Sequence, residues 1–269
     1  MNTRVDISSV VAVHNEVRAK TPLVQYITNF VSMDIAANVL NAAGASPAMV
    51  HDVREAGEFA TFASALAINI GTLSPPWVAG MDAAARTANE LGTPWVLDPV
   101  AVGATAYRRE TVAALLEHRP TVIRGNASEI MAIATQTRGG KGVDSTIDAA
   151  EVIELARELA GHTGSVVVVS GKSDVVTDGQ RTYLVHGGHD LMPLVTALGC
   201  ASTALVAACS AVEADPVAAS VAGMAILAAA GSLAGIRAEG PGSLRWRLLD
   251  ELAGLDDAKL TRHIAVEAL

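Results

Sequence analysis

Aromatic residues are scarce in this chain: three Trp, three Tyr and three Phe, 3% of 269 residues. A core cannot be organised around rings at that frequency. It must rest on Ala, Val, Leu and Ile, within a hydrophobic content of 51%, and short side chains let helices pack closely. Cysteine is nearly absent. Two residues, Cys200 and Cys209, exclude a disulfide framework and point to a reducing cytoplasm. They are nine positions apart, which on one helix places them on different faces. Positive charge is in deficit, 19 Lys and Arg against 28 Asp and Glu, for a net charge of -9. With no basic run, the chain lacks the footprint of a nucleic-acid binder. Any phosphate it holds must be held locally, by backbone amides, single cations or a metal. The amino terminus has no apolar signal core, so no export signal is read.

One long run lacks charge. Residues 217–236, "VAASVAGMAILAAAGSLAGI", have the length of a membrane span. Ala, Gly and Ser give it little drive for insertion, and Asp215-Pro216 is a helix start typical of soluble proteins. A buried core helix is expected, and no membrane partner.

What is present alternates between helical and strand patterns. Val10, Val13 and Val17 mark a first helix; "PLVQYIT" reads as a strand and "FVSMDIAANVLNAAG" as a helix ending at Gly44. A short strand "ASPAMV", a helix "VREAGEFATFASA", a buried strand "ALAINIG" and a helix "PPWVAGMDAAARTANELG" follow. "PWVLDPV" and "TVIRGN" are strands around a helix near "ETVAALLEHR". Residues 145–161 read as a helix with Ser145 and Asp148 as a capping box, then "SVVVVSG" as a strand buried on both faces. "DVVTDG" and "RTYLVHG" suggest an antiparallel edge hairpin. Helices are expected over about 199–213, 216–235 and 243–255, with "RHIAVE" a last strand or a frayed tail. The pattern predicts one domain over 1–269, an α/β sandwich with a mostly parallel sheet and helices on both faces.

In such sheets ligands sit outside the carboxyl ends of the strands. The polar residues there are Thr28 and Asn29, Asn69 through Gly71 and Thr72, Asp98, Arg124 with Asn126, and Ser170 with Gly171. Gly171-Lys172-Ser173 mimics the tail of a P-loop, but position 166 is Val and a strand follows, so the spacing rule rejects it. His186-Gly-Gly-His189 lacks a third ligand at a usual zinc spacing and reads as a turn. The turn from Thr196 to Cys200 is more informative. Its small residues run into a helix whose first N–H groups can face an anion. The same helix end is expected to lower the Cys200 thiol below its free value of about 8.5. Cys200 could then accept a proton from a substrate hydroxyl, or it could simply fill a small apolar space. Asp98 and Glu129 could hold Mg²⁺, although an acid in a first helical turn can be only a dipole partner. Arg124 could clamp phosphate or pair with a carboxylate.

Seven motifs in order, "ITNFV", "NVLNAAGASPAMV", "AINIGTLS", "VLDPVAVGAT", "IRGNASEI", "VVVSGKSDVVTDG" and "VTALGC", resemble those of the hydroxyethylthiazole kinases. These are a thiamine-salvage branch of the ribokinase-like superfamily, and the resemblance runs over nearly the whole chain. It implies a ribokinase-like three-layer sandwich and a homotrimer with the substrate pocket between subunits. It implies phosphorylation of the primary alcohol of 4-methyl-5-(2-hydroxyethyl)thiazole by ATP with Mg²⁺. By motif position, Cys200 would be the base and Arg124, Asn126 and Ser170 would contact ATP. Met49, Asn29, Gly71 and Ala197 would line the substrate site. Residues 197–200 (Ala197, Leu198, Gly199, Cys200) would form an anion hole, and Asp98 and Glu129 would lie at the metal. Ala197 and Ala101 stand where the family pattern has glycine, Asp34 where it has asparagine, and Ser170 where it has threonine. A left-handed requirement at position 197 would compromise the anion hole. Two other functions remain open on the residues: a related kinase or dehydratase for another small alcohol or cofactor, and a non-catalytic binder of nucleotide or thiazole.

Overall fold

The computed structural model describes residues 5–137 and 149–269. Among these, nine strands form one sheet. Strands β1 (Leu23–Ile27), β2 (Ser46–Ala48), β3 (Ala65–Asn69), β4 (Trp95–Asp98), β5 (Val122–Asn126) and β6 (Val166–Ser170) are parallel, and β7 (Ser173–Thr177), β8 (Thr182–His186) and β9 (Ala265–Ala268) add on antiparallel. The spatial order is β2-β1-β3-β4-β5-β6-β7-β8-β9. The expected edge hairpin is β7–β8, and the carboxyl-terminal stretch is a strand that caps its outer side.

Helices cover both faces, as the α/β pattern requires. On one face lie α1 (Ile7–Lys20), α2 (Met33–Ala43), α8 (Leu198–Ser210), α9 (Pro216–Arg237), α10 (Pro241–Ala253) and α11 (Asp257–His263). On the other lie α3 (Ala56–Phe59), α4 (Pro75–Leu91), α5 (Ala106–Leu116), α6 (Ala127–Thr137) and α7 (Ala149–Thr163). Strand β3 shows how sequence divides the two cores. Leu66 and Ile68 face the α4 side, while Ala65 and Ala67 face the α8 side. Two alanines there let α8 lie close to the sheet. Gly223 does the same between α8 and α9, where a Cβ would come 2.7 Å from the Cα of Val206.

The charge-free run is α9, and most of its length is buried inside the protein. Its Asp215 caps the helix by accepting from the Val217 N–H at 3.0 Å. Several boundaries differ from expectation. The helix expected over "VREAGEFATFASA" shrinks to Ala56–Phe59, because only small residues, Ala56, Ala60 and Ala63, are buried along it. It closes in tight turns, Thr61 N–H to Glu58 and Phe62 N–H to Phe59. Strand β2 keeps only Ser46–Ala48 of "ASPAMV". A short helix, α11, was not anticipated; Asp256 caps it by accepting from the Lys259 N–H. The expected Ser145–Asp148 capping box lies outside the described residues.

Candidate active site

The parallel register aligns the carboxyl ends of β1, β3 and β4, so their polar residues meet in spatial order. Asn69 and Asp98 are direct register partners. Asn69 donates its Nδ2 to Asp98 Oδ2 at 2.7 Å, and Asn29 donates its Nδ2 to Asn69 Oδ1 at 2.7 Å. Asn29 Nδ2 also donates to the Cys200 sulfur at 3.6 Å. From the other side, Thr203 on α8 donates to the same Asp98 oxygen at 2.8 Å. A continuous polar chain thus links a carboxylate to a thiol across three strand ends and one helix. The loops beneath it are fixed by Arg108, whose guanidinium donates to the carbonyls of Ile70, Val100 and Gly71.

Helix α8 brings Cys200 to this row. Tyr26, fully buried on β1, donates its hydroxyl to the Cys200 carbonyl at 2.9 Å. The N–H groups of Leu198, Gly199 and Cys200 open the helix and have no intrahelical carbonyl within reach. The cap residue Ala197 offers no side-chain acceptor and sits in the left-handed region at φ 67. The turn does require a left-handed residue, and alanine adopts that conformation. The penalty is backbone strain of about 1–2 kcal/mol; the turn itself is kept. Ala101, the other alanine at an expected glycine, is also left-handed at φ 53.

Arg124 lies against this helix end. A Cβ on Gly199 would come within 2.9 Å of its Nη1, so the missing side chain at 199 is the seat of the guanidinium. Arg124 is 7% exposed, and its Nε is buried with no hydrogen-bond partner. A guanidinium at the positive end of a helix is electrostatically uphill unless an anion joins them.

Burial pushes the Cys200 thiol up to about 11, and the nearby Asp98 adds to it. The Asn29 and Asn69 amides and Arg124 act in the opposite direction. This corrects the expectation of a lowered thiol: the helix terminus does not outweigh desolvation plus a neighbouring carboxylate. The sulfur is nevertheless half-buried and turned to the polar row, whereas Cys209 is fully buried in the core.

The two candidate metal acids differ. Asp98 is 1% exposed and its Oδ1 has no partner. Burial lifts its carboxyl to about 6, with Arg124 pulling down and Glu129 pushing up. A buried carboxylate oxygen without a donor fits a cation. Glu129 has both oxygens engaged, Oε1 by the Ala101 N–H at 2.9 Å and Oε2 by the Asn126 N–H at 2.8 Å. Asn126 Oδ1 in turn accepts from the Glu129 N–H at 3.0 Å, a reciprocal cap at the start of α6. Its charge is near Asp98, but its oxygens are already committed to the backbone. No group of three or more His, Cys, Asp or Glu side chains gathers among the described residues. The donor set fits Mg²⁺, which takes one or two carboxylates and fills its sphere with phosphate and water.

The remaining predicted residues spread along the same end. Ser170 is the register partner of Asn126 and donates to the Gly125 carbonyl at 3.4 Å. Met49 lies just beyond β2, half-buried against the α2–α8 core. Asp34 is turned away from the row and contacts Asn38 and Arg245 on the surface. Gly171-Lys172-Ser173 joins β6 to β7, and Asp174 there accepts from the Gly171 N–H at 3.0 Å. His186 contacts Ser173 and Glu267, and the Leu191 N–H donates to His189 Nδ1. Tyr26, Thr203 and Arg108 escaped the sequence reading. Thr203 carried a signal, a hydroxyl three positions after Cys200 on one helical face.

A cavity of about 600 Å³ opens at the opposite, amino end of the sheet, between Arg119, Thr121, His162, Asp178, Arg181 and Val217. Its Arg181 is held by Asp215 at 2.6 and 3.0 Å and by Asp178 at 2.8 Å. Space is available there, but Arg181, its most tightly bonded charge, is already matched. At the carboxyl end, by contrast, Asp98 and Arg124 keep polar atoms without partners.

The chain is similar to known proteins over nearly its whole length. The Hydroxyethylthiazole kinase family model matches residues 14–258. A hydroxyethylthiazole kinase of Rhizobium rhizogenes is 55% identical over 253 residues, covering 94% of each chain. One from Cereibacter sphaeroides is 54% identical over 251 residues, 93% of this chain and 95% of that protein. The solved structure of hydroxyethylthiazole kinase protein from Pyrococcus horikoshii OT3 superposes with a TM-score of 0.91 at 36% identity, covering 97% of this chain and 99% of that one. Bacillus subtilis pyridoxal kinase shares the fold at a TM-score of 0.59 and 19% identity, over 77% of this chain and 90% of its own.

Proposed function

The chain belongs to the hydroxyethylthiazole kinase family, and from that membership and the strand-end site we propose the reaction and the part each residue plays in it. The enzyme transfers the γ-phosphoryl group of ATP to the primary alcohol of 4-methyl-5-(2-hydroxyethyl)thiazole, a step of thiamine salvage. The observation that carries the site assignment is the Arg124 guanidinium, buried with an unpartnered Nε against Gly199 at the positive end of α8. Two positive features converge there beside a thiol, and a transferring phosphoryl group supplies the charge that both lack.

Phosphoryl transfer relies on positioning and on groups that meet developing charge. The N–H groups of residues 197–200 and the Arg124 guanidinium face the transferring group. The alcohol oxygen bonds to the γ-phosphorus as the bond to the bridging oxygen of ADP breaks. Cys200, as thiolate, takes the alcohol proton late in the step. Its ligand-free thiol is protonated near neutrality, so the Asn29 amide and Arg124, which oppose burial, set how readily it ionises. Asp98 would hold Mg²⁺, with Glu129 contributing charge behind it, and the ion would supply neutralisation of phosphate oxygens. Asn126 and Ser170, adjacent on β5 and β6, suit the nucleotide side of the site. Asn29, Gly71, Met49 and Ala197 suit the thiazole side.

The kinase acts as one domain over 1–269 and as a homotrimer, with the pocket between subunits. An apolar cluster beside Met49 suits a subunit contact: Phe30 is 70% exposed, packs edge-on to Trp77 at 4.7 Å, and His51 stacks on the same indole at 4.1 Å. The two free thiols suit a cytoplasmic location. The decisive experiment is incubation with MgATP and the thiazole alcohol, read by mass spectrometry. A phosphate ester and stoichiometric ADP are expected; ATP binding with no ester formed would overturn the reading.

A further inference from the structure

The amide of Asn29 has its orientation fixed from both sides. Its Oδ1 accepts from the N–H groups of Val31 at 3.0 Å and Ser32 at 3.1 Å, so Nδ2 must face inward. One of its two hydrogens goes to Asn69 Oδ1 at 2.7 Å, which leaves the other for the Cys200 sulfur at 3.6 Å. Asn69 is locked in the same way. Its Nδ2 faces the acceptor-only carboxylate of Asp98 at 2.7 Å, and its Oδ1 also accepts from the Gly71 N–H at 2.9 Å. Neither amide can flip without setting oxygen against oxygen or N–H against N–H. Gly71 adds a steric wall. A Cβ there would come 2.5 Å from Asn29 Nδ2 and 2.8 Å from Asn29 Cβ, so only glycine leaves room for the amide. Asn69 is fully buried; it bonds Asn29, Asp98 and the Gly71 N–H, and its amide, like that of Asn29, favours the Cys200 thiolate.

We propose that Asn69, the last residue of β3, and Gly71, just beyond it, are positioning residues that hold the Asn29 amide with an N–H aimed at the Cys200 sulfur. This rests on the reading of Cys200 as the base. A thiolate formed at Cys200 then meets a ready donor, and no reorganisation is needed as the proton arrives. Gly71 acts by the space it leaves rather than by touching the alcohol. Asn29 acts on the sulfur as well as on the substrate side.

The test is the pH dependence of Cys200 alkylation by iodoacetamide in the full chain without nucleotide, followed by peptide mass. Cys209 is fully buried, so labelling reports residue 200. Asn69→Leu removes the acceptor that orients Asn29. Gly71→Ala leaves every polar side chain in place and displaces Asn29 sterically, which keeps the question answerable if the leucine variant does not fold. Both are expected to move the alkylation midpoint upward, slowing labelling at a fixed pH below it by about tenfold, the scale of losing a charge-assisted hydrogen bond. Both should lower kcat; because Asn29 and Gly71 also suit the thiazole side, the KM for the alcohol moves as well, and the alkylation profile carries the test. A merely structural role predicts the reverse for the thiol, a looser site that labels faster at every pH. Wild-type labelling profiles in a folded variant would overturn the proposal even if the kinase reaction stands. Upward-shifted profiles in a protein that makes no phosphate ester would uphold the bracket and remove the kinase reading instead.

Discussion

The two ends of the sheet handle polar groups in opposite ways. At the amino end, Arg181 has three hydrogen bonds to two carboxylates, and Asp215 also caps α9. Burial pushes Asp215 up, but Arg181 and the Val217 N–H outweigh it and leave the carboxyl below its usual range. At the carboxyl end, Asp98 keeps an oxygen without a donor and Arg124 an Nε without an acceptor. Asp98, Asp174 and Cys200 are all lifted by burial, to about 6, 6 and 11. The amino end has the 600 Å³ cavity, yet its bonds stabilise the fold. The carboxyl end is where groups are held in states that a ligand would relieve. Unmatched polarity at Asp98 and Arg124, rather than empty volume, distinguishes the carboxyl end from the amino end.

Cys200→Ser gives the largest expected effect. The serine keeps size and hydrogen bonding but ionises far less readily, so kcat should fall about 10²–10⁴-fold. ATP affinity by calorimetry and the melting temperature should stay near wild type. Unchanged turnover would remove the thiol from the reaction and leave the carboxyl end merely strained.

Arg181→Met tests the opposite end. It strands two partly buried carboxylates, and urea unfolding should show a loss of about 2–3 kcal/mol. In the folded variant kcat should match wild type. A collapse of kcat would mean that the two ends are coupled and that the contrast drawn here is wrong.

The third test uses pH. Asp174 is raised to about 6 by burial, against the Gly171 N–H and Arg124, which lower it. An unfolded aspartate titrates near 3.9. Between about pH 4 and 6 the folded state therefore binds more protons than the unfolded one, and stability falls as pH rises through that window. Asp174→Asn should be more stable than wild type by about 1–2 kcal/mol at pH 7–8, with the difference gone below about pH 4. A gain that persists at pH 3 would assign the effect to something other than this ionisation.

Much of this contrast was legible in the sequence, because strand ends follow from periodicity. Alternating βα patterns place Asn29, Asn69, Asp98, Arg124 and Ser170 at one end by periodicity alone, and the glycine-cysteine turn places α8. Three things were not legible. The thiol's direction of shift depends on burial and on Asp98, about one hundred positions away in sequence, so a rule about helix termini misjudged it. The engagement of both Glu129 oxygens depends on the Ala101 N–H, which a loop brings over. The clamp by Arg108 reaches carbonyls of the loops after β3 and β4, and side chain-to-carbonyl bonds leave no periodic trace. The short α3 departs from expectation for a different reason: Phe62 is an exposed ring rather than a core anchor.

Strain is the subtlest difference, and it gives the smallest effect. Left-handed non-glycine residues occur at both ends, at Ala101 and Ala197 near the site and at Arg119 beside the cavity. Strain alone therefore does not single out the candidate site; Ala197 differs in also opening a helix with free N–H groups. Ala197→Gly separates the two. Glycine keeps the φ 67 conformation without the Cβ clash of about 1–2 kcal/mol, but it returns about 0.5–1 kcal/mol through the freer unfolded chain. The net gain should be at most about 1 kcal/mol, a rise of about 2–4 °C in Tm. Because the N–H groups keep their directions, kcat should change less than about twofold, well under the tenfold that 1.4 kcal/mol of barrier would give. If kcat instead rises several-fold with Tm unchanged, alanine is displacing the amides from their target, and the carboxyl end of this protein is strained at the expense of its reaction.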